Sequence, residues 1–260
     1  MYEYEYINGL RNGKCKEYFY NGNLKSECEY LNGEKNGNAK EYYENGKPKF
    51  EGKYLNGKRN DKGKEYYKNG DLRFEGEYLY SMWKKGKRYI KGCLEYEGEY
   101  LYEKKWEGKG YDEKGNIIYE LKNGNGKVKE YYDNYILAFE GEYLNGKRNG
   151  IGKLYDDLTG KLLFEGEYLN GKRNGHGKEY YENGNIEFEG EYKNEKKNGK
   201  GKDYNENGIL MQEVEYLNGF RHGKGKEYYE NGNIKYEGEY FNNFRHGKGK
   251  EYDENCNIKF

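Results

Sequence analysis

The chain is poor in the side chains that carry out catalysis. Its 260 residues include two serines, one threonine, three histidines and a single proline. Forty glycines are present, yet no segment matches a GxGxxG or GK[ST] phosphate-binding pattern. The glutamates recur periodically, which is typical of a solvated ladder and not of a catalytic carboxylate pair. We therefore predict a non-enzymatic protein without a cofactor.

An excess of charge of either sign is also missing. Forty-seven Lys and Arg residues balance forty-seven Asp and Glu residues, and the two signs are interleaved throughout. Nucleic-acid-binding proteins normally show a basic excess or a basic stripe. We therefore predict no nucleic-acid partner.

Cysteine pairs and long apolar runs are lacking too. The four cysteines (Cys15, Cys28, Cys93 and Cys256) show no CxxC spacing, which favours a reducing compartment. No run approaches the roughly 18 apolar residues of a membrane span, and the first residues are repeat sequence without a signal peptide. We expect a cytoplasmic protein, with the membrane periphery as the alternative.

Aromatic residues are abundant in this chain, whereas disordered chains contain few of them. The mean hydropathy is −1.45 and 36% of residues are charged, a composition that normally indicates disorder. However, aromatics reach 18%, including 35 tyrosines, and they recur at fixed positions. This regularity favours an ordered protein.

A block of about 24 residues recurs along most of the chain and changes little from copy to copy. One clear copy, FEGEYLNGKRNGHGKEYY, runs from Phe164 to Tyr181. A fixed period marks a repeat array, in which each unit buries apolar surface only against its neighbours. We therefore expect one continuous array over residues 1–260 and a long binding surface. The recurring tyrosine stands at Tyr6, Tyr30, Tyr54, Tyr78, Tyr100, Tyr119, Tyr143, Tyr168, Tyr192, Tyr216 and Tyr240.

Each block contains a segment that alternates like a half-buried strand. In the segment 186–193, Ile186, Phe188, Gly190 and Tyr192 share one face, and Glu187, Glu189, Glu191 and Lys193 share the other. Glycine inside a strand often marks the close approach of another group, so we expect Tyr and Phe rings over these glycines. The glycine and tyrosine expected to be structural in each copy are Gly52, Tyr54, Gly76, Tyr78, Gly141, Tyr143, Gly166, Tyr168, Gly190, Tyr192, Gly238 and Tyr240.

An Asn-Gly pair links successive strands and predicts their register. With Asn183-Gly184 as a type I′ turn, lysine faces glutamate across the ladder. The pairs that follow are Tyr181 with Ile186, Glu179 with Phe188, Lys178 with Glu189, Gly177 with Gly190, Lys226 with Glu237, and Lys40 with Glu51. The second connection, Leu169 to Gly175, is expected to be a longer turn. Such opposite charges contribute about 0.2–1 kcal/mol per pair, so the pairing explains high charge without net charge.

These units together predict an all-β fold, a single elongated and twisted antiparallel meander of roughly twenty strands built of repeated hairpins. The repeat weakens at about residues 81–125, where the tyrosine spacing shortens to 22 and then 19 residues. Both tryptophans, Trp83 and Trp106, lie there. We interpret this stretch as degenerate repeats, with a local kink or specialised contact site as the alternative.

The block resembles the MORN repeat, the "membrane occupation and recognition nexus". The family pattern is an aromatic residue, E-G-E, a second aromatic, N-G-K and H-G-x-G. The histidine is kept only at His222 and His246, and tyrosine replaces the family's tryptophan throughout. These departures resemble looser arrays, including the YwqK-like proteins sometimes labelled antitoxins. The residues of one copy that match are Gly166, Tyr168, Asn170, Gly171, Lys172, Gly175 and Gly177.

What the resemblance implies is an elongated β-meander that serves as a scaffold, a dimerisation device or an adaptor, sometimes near membranes. We expect a scaffold for an unidentified protein partner or for self-association, because a Tyr-rich sheet with loops in rows offers rigid contact area. Self-association follows from strands at both ends of the sequence, whose open edges invite pairing as a homodimer or end to end. The opposing hypothesis is that flanking sequence caps the array in a longer protein.

Two other functions remain open. Lys-Arg pairs recur in register in one set of loops, which would suit anionic membrane lipid at about 1 kcal/mol per basic residue. An antitoxin-like inhibitor role is the third hypothesis. His222 and His246 would lie two strands apart, about 9.6 Å, which is too far for shared metal ligation, so we predict no metal site. The loop residues concerned are Lys58, Arg59, Lys147, Arg148, Lys172 and Arg173.

Overall fold

The computed structural model describes residues 2–259, and within that span the chain forms strands and turns without a helix. The fold prediction of an all-β antiparallel hairpin meander is confirmed. The strands are β1 (Tyr2–Ile7), β2 (Leu10–Tyr18), β3 (Leu24–Leu31), β4 (Glu34–Tyr42), β5 (Pro48–Leu55), β6 (Lys58–Tyr66), β7 (Leu72–Leu79), β8 (Met82–Ile90), β9 (Cys93–Leu101), β10 (Lys104–Tyr111), β11 (Ile117–Leu121), β12 (Gly126–Tyr131), β13 (Leu137–Leu144), β14 (Lys147–Tyr155), β15 (Leu162–Leu169), β16 (Lys172–Tyr180), β17 (Ile186–Lys193), β18 (Lys196–Tyr204), β19 (Leu210–Leu217), β20 (Phe220–Tyr228), β21 (Ile234–Phe241) and β22 (Phe244–Glu251).

The meander divides into two sheets of eleven strands each. Strands β1 to β11 pair in sequence order in the first sheet, and β12 to β22 do so in the second. Two compact units correspond to them: the chain up to Gly126 with Asp133–Tyr135, and Lys127–Tyr132 with the chain from Ile136 onward. The division falls at the end of the degenerate stretch, where β11 and β12 are shorter than most strands.

The strand register agrees with the charge pairing expected from the repeat. Lys178 lies opposite Glu189 and Glu179 lies opposite Phe188. The lysine and glutamate of other copies pair in the same way, as Lys226 does with Glu237. A register slip by one residue would reverse the faces, so this agreement places the aromatic residues on one face and the Lys-Glu ladder on the other.

The two kinds of turn are the reverse of what the sequence suggested. Asn170 (φ 53°) and Gly171 (φ 88°) both have positive φ, so the two-residue type I′ turn is the Leu169–Lys172 connection. At the other connection only Gly184 has positive φ, and its N–H donates to the carbonyl of Tyr181. That geometry is a type I turn with a glycine bulge. Tyr180, and not Tyr181, therefore lies opposite Ile186.

A bulge after the type I′ turn explains why glycine and glutamate recur beside the tyrosine. Gly175 has φ 105°, and the Glu167 carboxylate accepts a hydrogen bond from the His176 N–H at 3.0 Å. The same carboxylate cap holds the N–H of Asn38 through Glu29 at 3.1 Å. The bulged backbone thus gains a partner that the interrupted ladder does not supply.

Aromatic rings cover the strand glycines, as predicted. A Cβ added at Gly166 would lie 2.6 Å from the Gly177 Cα and 2.8 Å from the Phe164 Cζ. Phe164 itself is 1% exposed. The phenylalanine ring therefore packs directly on the backbone of two adjacent strands, and this contact contributes to the core of the sheet.

Introducing valine at Gly190 tests this packing. The new Cβ would meet the Gly201 Cα and the Phe188 Cζ, each at 2.7 Å. We expect a loss of about 1–3 kcal/mol in the free energy of unfolding, measured by urea denaturation. In the next copy of the repeat, strand β19 has Gln212 where β17 has Phe188, and Val214 where β17 has Gly190.

The cost of the valine should be smaller when Phe188 is glutamine, because the contact with the ring is removed while the contact with the Gly201 Cα remains. A double-mutant cycle of Gly190→Val and Phe188→Gln measures the difference, which we expect to be about 0.5–3 kcal/mol. An equal cost of Gly190→Val in both backgrounds would show that the ring does not exclude the side chain.

Candidate interaction surfaces

On the aromatic face, rings of neighbouring repeats meet edge to face. Tyr168 lies between Phe139 and Phe164, with centroid distances of 5.4 Å and 5.6 Å and interplanar angles of 84° and 88°. Burial raises the pKa of Tyr168 to about 12, so its hydroxyl stays protonated at neutral pH. Rings in this geometry add about 0.5–1.5 kcal/mol beyond their area.

The expected structural positions fall in this layer. The glycines lie beneath the rings, and their tyrosines are buried, except that Tyr143 is half-buried. They hold adjacent repeats together and leave little of this face for a ligand. These positions are Gly52, Tyr54, Gly76, Tyr78, Gly141, Tyr143, Gly166, Tyr168, Gly190, Tyr192, Gly238 and Tyr240.

Arginines fold over the rings and bind carboxylates there. The guanidinium carbon of Arg59 lies 4.0 Å from the Phe50 ring centroid, while its nitrogens contact Glu41 at 3.2 Å and Glu65 at 3.1 Å. Only 17% of the Arg59 side chain is exposed. Cation–π contact with partial desolvation makes this arginine a structural part of the aromatic face.

The same arrangement recurs in the second unit. Arg148 covers the Phe139 ring at 4.1 Å and binds Glu130 at 3.0 Å. Arg173 lies 5.1 Å from the Phe164 ring centroid and binds Glu179 at 2.7 Å. Sequence reasoning missed this network. The predicted register could have revealed it, because a glutamate that lies opposite a phenylalanine in a β-ladder is on the same face of the sheet as that phenylalanine.

The carboxylate of Glu41 is the most strongly shifted acid of this network. Burial alone would raise its pKa. The hydrogen bond and charge of Lys35 at 2.6 Å, with smaller contributions from Tyr54 and Arg59, instead lower the pKa from 4.5 to about 2. The pKa of Glu227 is also lowered: burial opposes the shift, and Arg245 causes it.

These shifts predict acid sensitivity. A folded-state pKa below the unfolded value stabilises the fold above pH 4.5, and this contribution is lost as the pH falls through the folded pKa. We expect the free energy of unfolding of the first unit, measured by urea denaturation, to fall between about pH 4.5 and pH 2, by roughly 3 kcal/mol for Glu41. Glu41→Gln should be less stable at pH 6 and show a flatter pH profile. An unchanged slope in this variant would contradict the assignment.

The opposite, charged face carries the Lys-Glu ladder and an open groove. Ion pairs cross neighbouring strands, for example Lys16 with Glu27 at 3.1 Å and Lys202 with Glu213 at 3.0 Å. A groove of about 1360 Å³ crosses strands β2 to β9 of the first unit, and glycines such as Gly76 expose backbone on its floor. Its size exceeds that of an ordinary small-molecule site and suits an extended segment of a macromolecule.

The lysines of the Lys-Arg pairs are separated from their arginines. Lys58, Lys147 and Lys172 are exposed at the first position of their strands. Each faces a leucine across the type I′ turn, as Leu55 faces Lys58 and Leu169 faces Lys172. These leucines are about half exposed. In each unit these turns therefore present lysine beside leucine, while Arg59, Arg148 and Arg173 turn to the aromatic face.

The last two hairpins carry an exposed aromatic patch in place of this pattern. We define the C-terminal patch as Leu217, Phe220, Phe241 and Phe244, of which Phe244 is 76% exposed and the others about half exposed. Phe220 and Phe244 occupy the turn position that lysine takes in β14, β16 and β18. The patch adjoins β22, whose every residue is exposed.

Two histidines flank the C-terminal patch. His222 and His246 lie 5.5 Å and 5.7 Å from the Phe241 ring, one on each neighbouring strand. Within residues 2–259, no cluster of three or more His, Cys, Asp or Glu side chains could hold a metal ion. What the structure gives each histidine is a contact with the ring of Phe241.

The degenerate stretch contains the most deeply buried charge. Trp83 takes the position of Arg59 and stacks on Phe74 at 4.5 Å with an interplanar angle of 3°. Nearby, Glu95 is 0% exposed and binds Arg88 at 3.0 Å and Lys105. In this stretch a stacked ring thus stands where the regular repeat has a cation over the ring, and the ion-pair network is centred on a fully buried carboxylate.

The chain matches the MORN repeat and the MORN repeat variant over segments that together exceed half its length. The MORN repeat matches residues 50–72, 139–157, 164–186, 188–202 and 236–255, and the variant matches residues 11–32, 35–56, 197–218 and 221–242. No curated protein sequence matches the chain. No helix in the described part of the chain is long and apolar enough to cross a membrane.

Solved structures that resemble the chain are much larger proteins. The crystal structure of TcdB2-TccC3-Cdc42 is 12% identical with a TM-score of 0.19, and the match covers 96% of this chain and 15% of that one. Alternansucrase in complex with isomaltononaose is 16% identical with a TM-score of 0.17, over 90% of this chain and 16% of that one. The chain thus spans about a sixth of their length, and TM-scores this low do not indicate a shared function.

Proposed function

Because this chain belongs to the MORN-repeat family, we propose that it is a non-catalytic repeat scaffold that associates with a second copy of itself. The observation that supports self-association is the C-terminal patch. Exposed, contiguous apolar side chains on a soluble protein commonly mark an interaction site. Two of them, Phe220 and Phe244, stand at the turn position that carries lysine in β14, β16 and β18.

A second copy is the occupant we favour, because the patch is continuous with an edge strand. Among the described residues, β22 pairs along its length with β21 alone, and on its other side Lys259 donates to the carbonyl of its last residue, Glu251, at 2.9 Å. The first residues of β22, beside Phe244, therefore offer backbone groups to a second copy. A two-fold dimer would bring the patch against its own equivalent and could align the two edge strands. Apolar contact and backbone pairing would then act at the same interface.

Restoring lysine in the patch tests this proposal. Phe220→Lys with Phe244→Lys copies the residue that β16 and β18 carry at this position, so the repeat should fold unchanged. Light scattering at increasing concentration should show a dimer for the original chain and a monomer for the double variant. A matched control, Leu144→Lys, places the same charge at a half-exposed turn position outside the patch and should still dimerise.

A strict monomer at high concentration would overturn self-association. A dimer that persists in Phe220→Lys with Phe244→Lys would place the interface elsewhere.

The groove of the first unit is the surface where we expect a protein partner, because its ladder charges are accessible. Crosslinking in the native source, with peptide mapping, should then link a partner to groove lysines such as Lys40 and Lys64.

Anionic lipid is a second candidate, favoured by the lysine-leucine pairs at the turns. Lys58, Lys147 and Lys172 stand beside exposed leucines, so charge attraction and shallow apolar insertion could act together. Charge reversal of all three should abolish low-salt flotation with vesicles of phosphatidylcholine and phosphatidylserine, at about 1 kcal/mol per lysine. Reversal of Lys40, Lys64 and Lys178, which lie on the ladder, should not. Absence of low-salt binding by the original chain would eliminate lipid as a ligand.

A further inference from the structure

Two cysteines face each other across adjacent strands in the first sheet. Cys15 on β2 lies directly opposite Cys28 on β3. Directly opposed residues of an antiparallel pair project to the same face, so both side chains enter the aromatic face. Cys15 is 2% exposed and Cys28 is 4% exposed, and both are free thiols.

The residues around this cysteine pair also differ from those in other copies of the repeat. In other copies the opposed residues are two glycines, as Gly152 and Gly166 are, and phenylalanine lies two residues before the second glycine. On β3 this phenylalanine is replaced by Ser26, and the next strand carries Ala39 opposite Cys28. Where a phenylalanine ring covers two glycines in other copies, this site thus carries a serine, an alanine and two cysteines.

The geometry of opposed strand residues fits a disulfide. Opposed residues have Cα atoms about 4.5–5.5 Å apart, within the roughly 4.4–6.8 Å found across disulfides. The Cβ atoms of such pairs are about 4.5–5.5 Å apart, and a small approach brings them within bonding range. We propose that Cys15 and Cys28 form a reversible cross-strand disulfide, a covalent modification site that fastens the first hairpin to the array.

The oxidant in this reaction is a small disulfide such as oxidised glutathione. The thiolate of one cysteine attacks it, which forms a mixed disulfide and releases one thiol. The second cysteine thiolate then attacks the protein sulfur of that mixed disulfide, forms the Sγ–Sγ bond and releases the second thiol. The two protein thiols lose two protons and two electrons, and the oxidant accepts both pairs as two thiols.

Burial controls the rate of the first step. Burial raises the pKa of the Cys28 thiol, so little thiolate is present in the closed sheet. Only β1 lies between β2 and the edge of the sheet. Local opening of that edge would expose Cys15, since edge strands open at low free-energy cost. Oxidation should therefore be slow and should accelerate as the pH rises.

Thiol counting on the full chain tests the proposal. After equilibration with oxidised and reduced glutathione and acid quenching, free thiols counted under denaturing conditions should fall from four to two. Peptide mapping without reductant should recover one linked species that contains Cys15 and Cys28. Dithiothreitol should restore all four thiols.

Two variants separate this pair from the other cysteines. Cys93→Ser with Cys256→Ser removes the thiols outside the site and should still lose both remaining thiols to one intramolecular bond. Cys15→Ala should leave Cys28 unable to form it, and mapping should show no disulfide within one chain. Four free thiols at equilibrium, a mixed disulfide as the final product, or a bond to Cys93 or Cys256 would each overturn the proposal.

Discussion

Phe164→Ala should lower the free energy of unfolding of the second unit by about 3–5 kcal/mol. The ring is 1% exposed and packs on two glycines, and it makes edge-to-face contacts with Tyr168 at 5.6 Å and Tyr192 at 5.4 Å. Alanine would leave a cavity that the glycines cannot fill, because they have no side chains to repack. The loss therefore includes the ring's burial and the contacts of both neighbouring tyrosines.

Urea denaturation with hydrogen exchange on strands β14 to β17 would measure the effect and its location. Leu169→Ala is the matched control on the same strand, since this leucine is half exposed and should cost less than 1 kcal/mol. Equal effects of the two substitutions would show that the ring is not the core of its repeat.

Glu95→Gln should destabilise the first unit by about 3–5 kcal/mol. The carboxylate is fully buried and binds both Arg88 and Lys105, so glutamine would remove the buried negative charge that these two cations share. Arg88 would keep its contact with the exposed Asp133 at 3.1 Å. Burial makes this loss much larger than that of an exposed ion pair, where water replaces the missing partner.

Glu97→Gln, two residues further along β9, is the control. Glu97 binds Lys87 at 3.6 Å on the charged face and is 47% exposed, so its loss should cost about 0–1 kcal/mol. Thermal unfolding of the two variants at neutral pH gives the comparison. A Glu95→Gln protein as stable as Glu97→Gln would mean that the buried site admits water.

Period-two alternation was sufficient to predict the strands and their faces. The placement of Lys178 opposite Glu189 also followed from the sequence, because the spacing between strands fixes which residues meet. The turn types did not follow. Asn-Gly occurs at both connections, at Asn170-Gly171 and Asn183-Gly184, and turn propensity alone cannot say which pair closes with two residues. The turn type depends on the hydrogen bonds of the complete hairpin, which at Asn183-Gly184 form a type I turn with a glycine bulge.

The sites were less predictable than the strands. Consecutive Lys-Arg residues look alike in composition, but alternation sends Lys172 to solvent and Arg173 onto the ring of Phe164. Alternation predicts this separation, but it does not predict the ion pairs of Arg173 with Glu179 on its own strand and with Glu195 in the turn between β17 and β18. Nor did the weakening repeat reveal that strand pairing divides at its end, since that outcome depends on how many ladder bonds the short β11 and β12 can form.

The stacked turns also bear on how such a chain changes length. The Gly171 N–H donates to the Arg148 carbonyl, and the Glu195 N–H donates to the Arg173 carbonyl, so neighbouring type I′ turns of the regular repeats are fastened by the same bond. Within the regular repeats, one junction between hairpins is therefore chemically similar to the next. A recombination event that duplicates or deletes one whole hairpin pair would rejoin two surfaces that already fit, and array length could drift between genes while each junction stays intact.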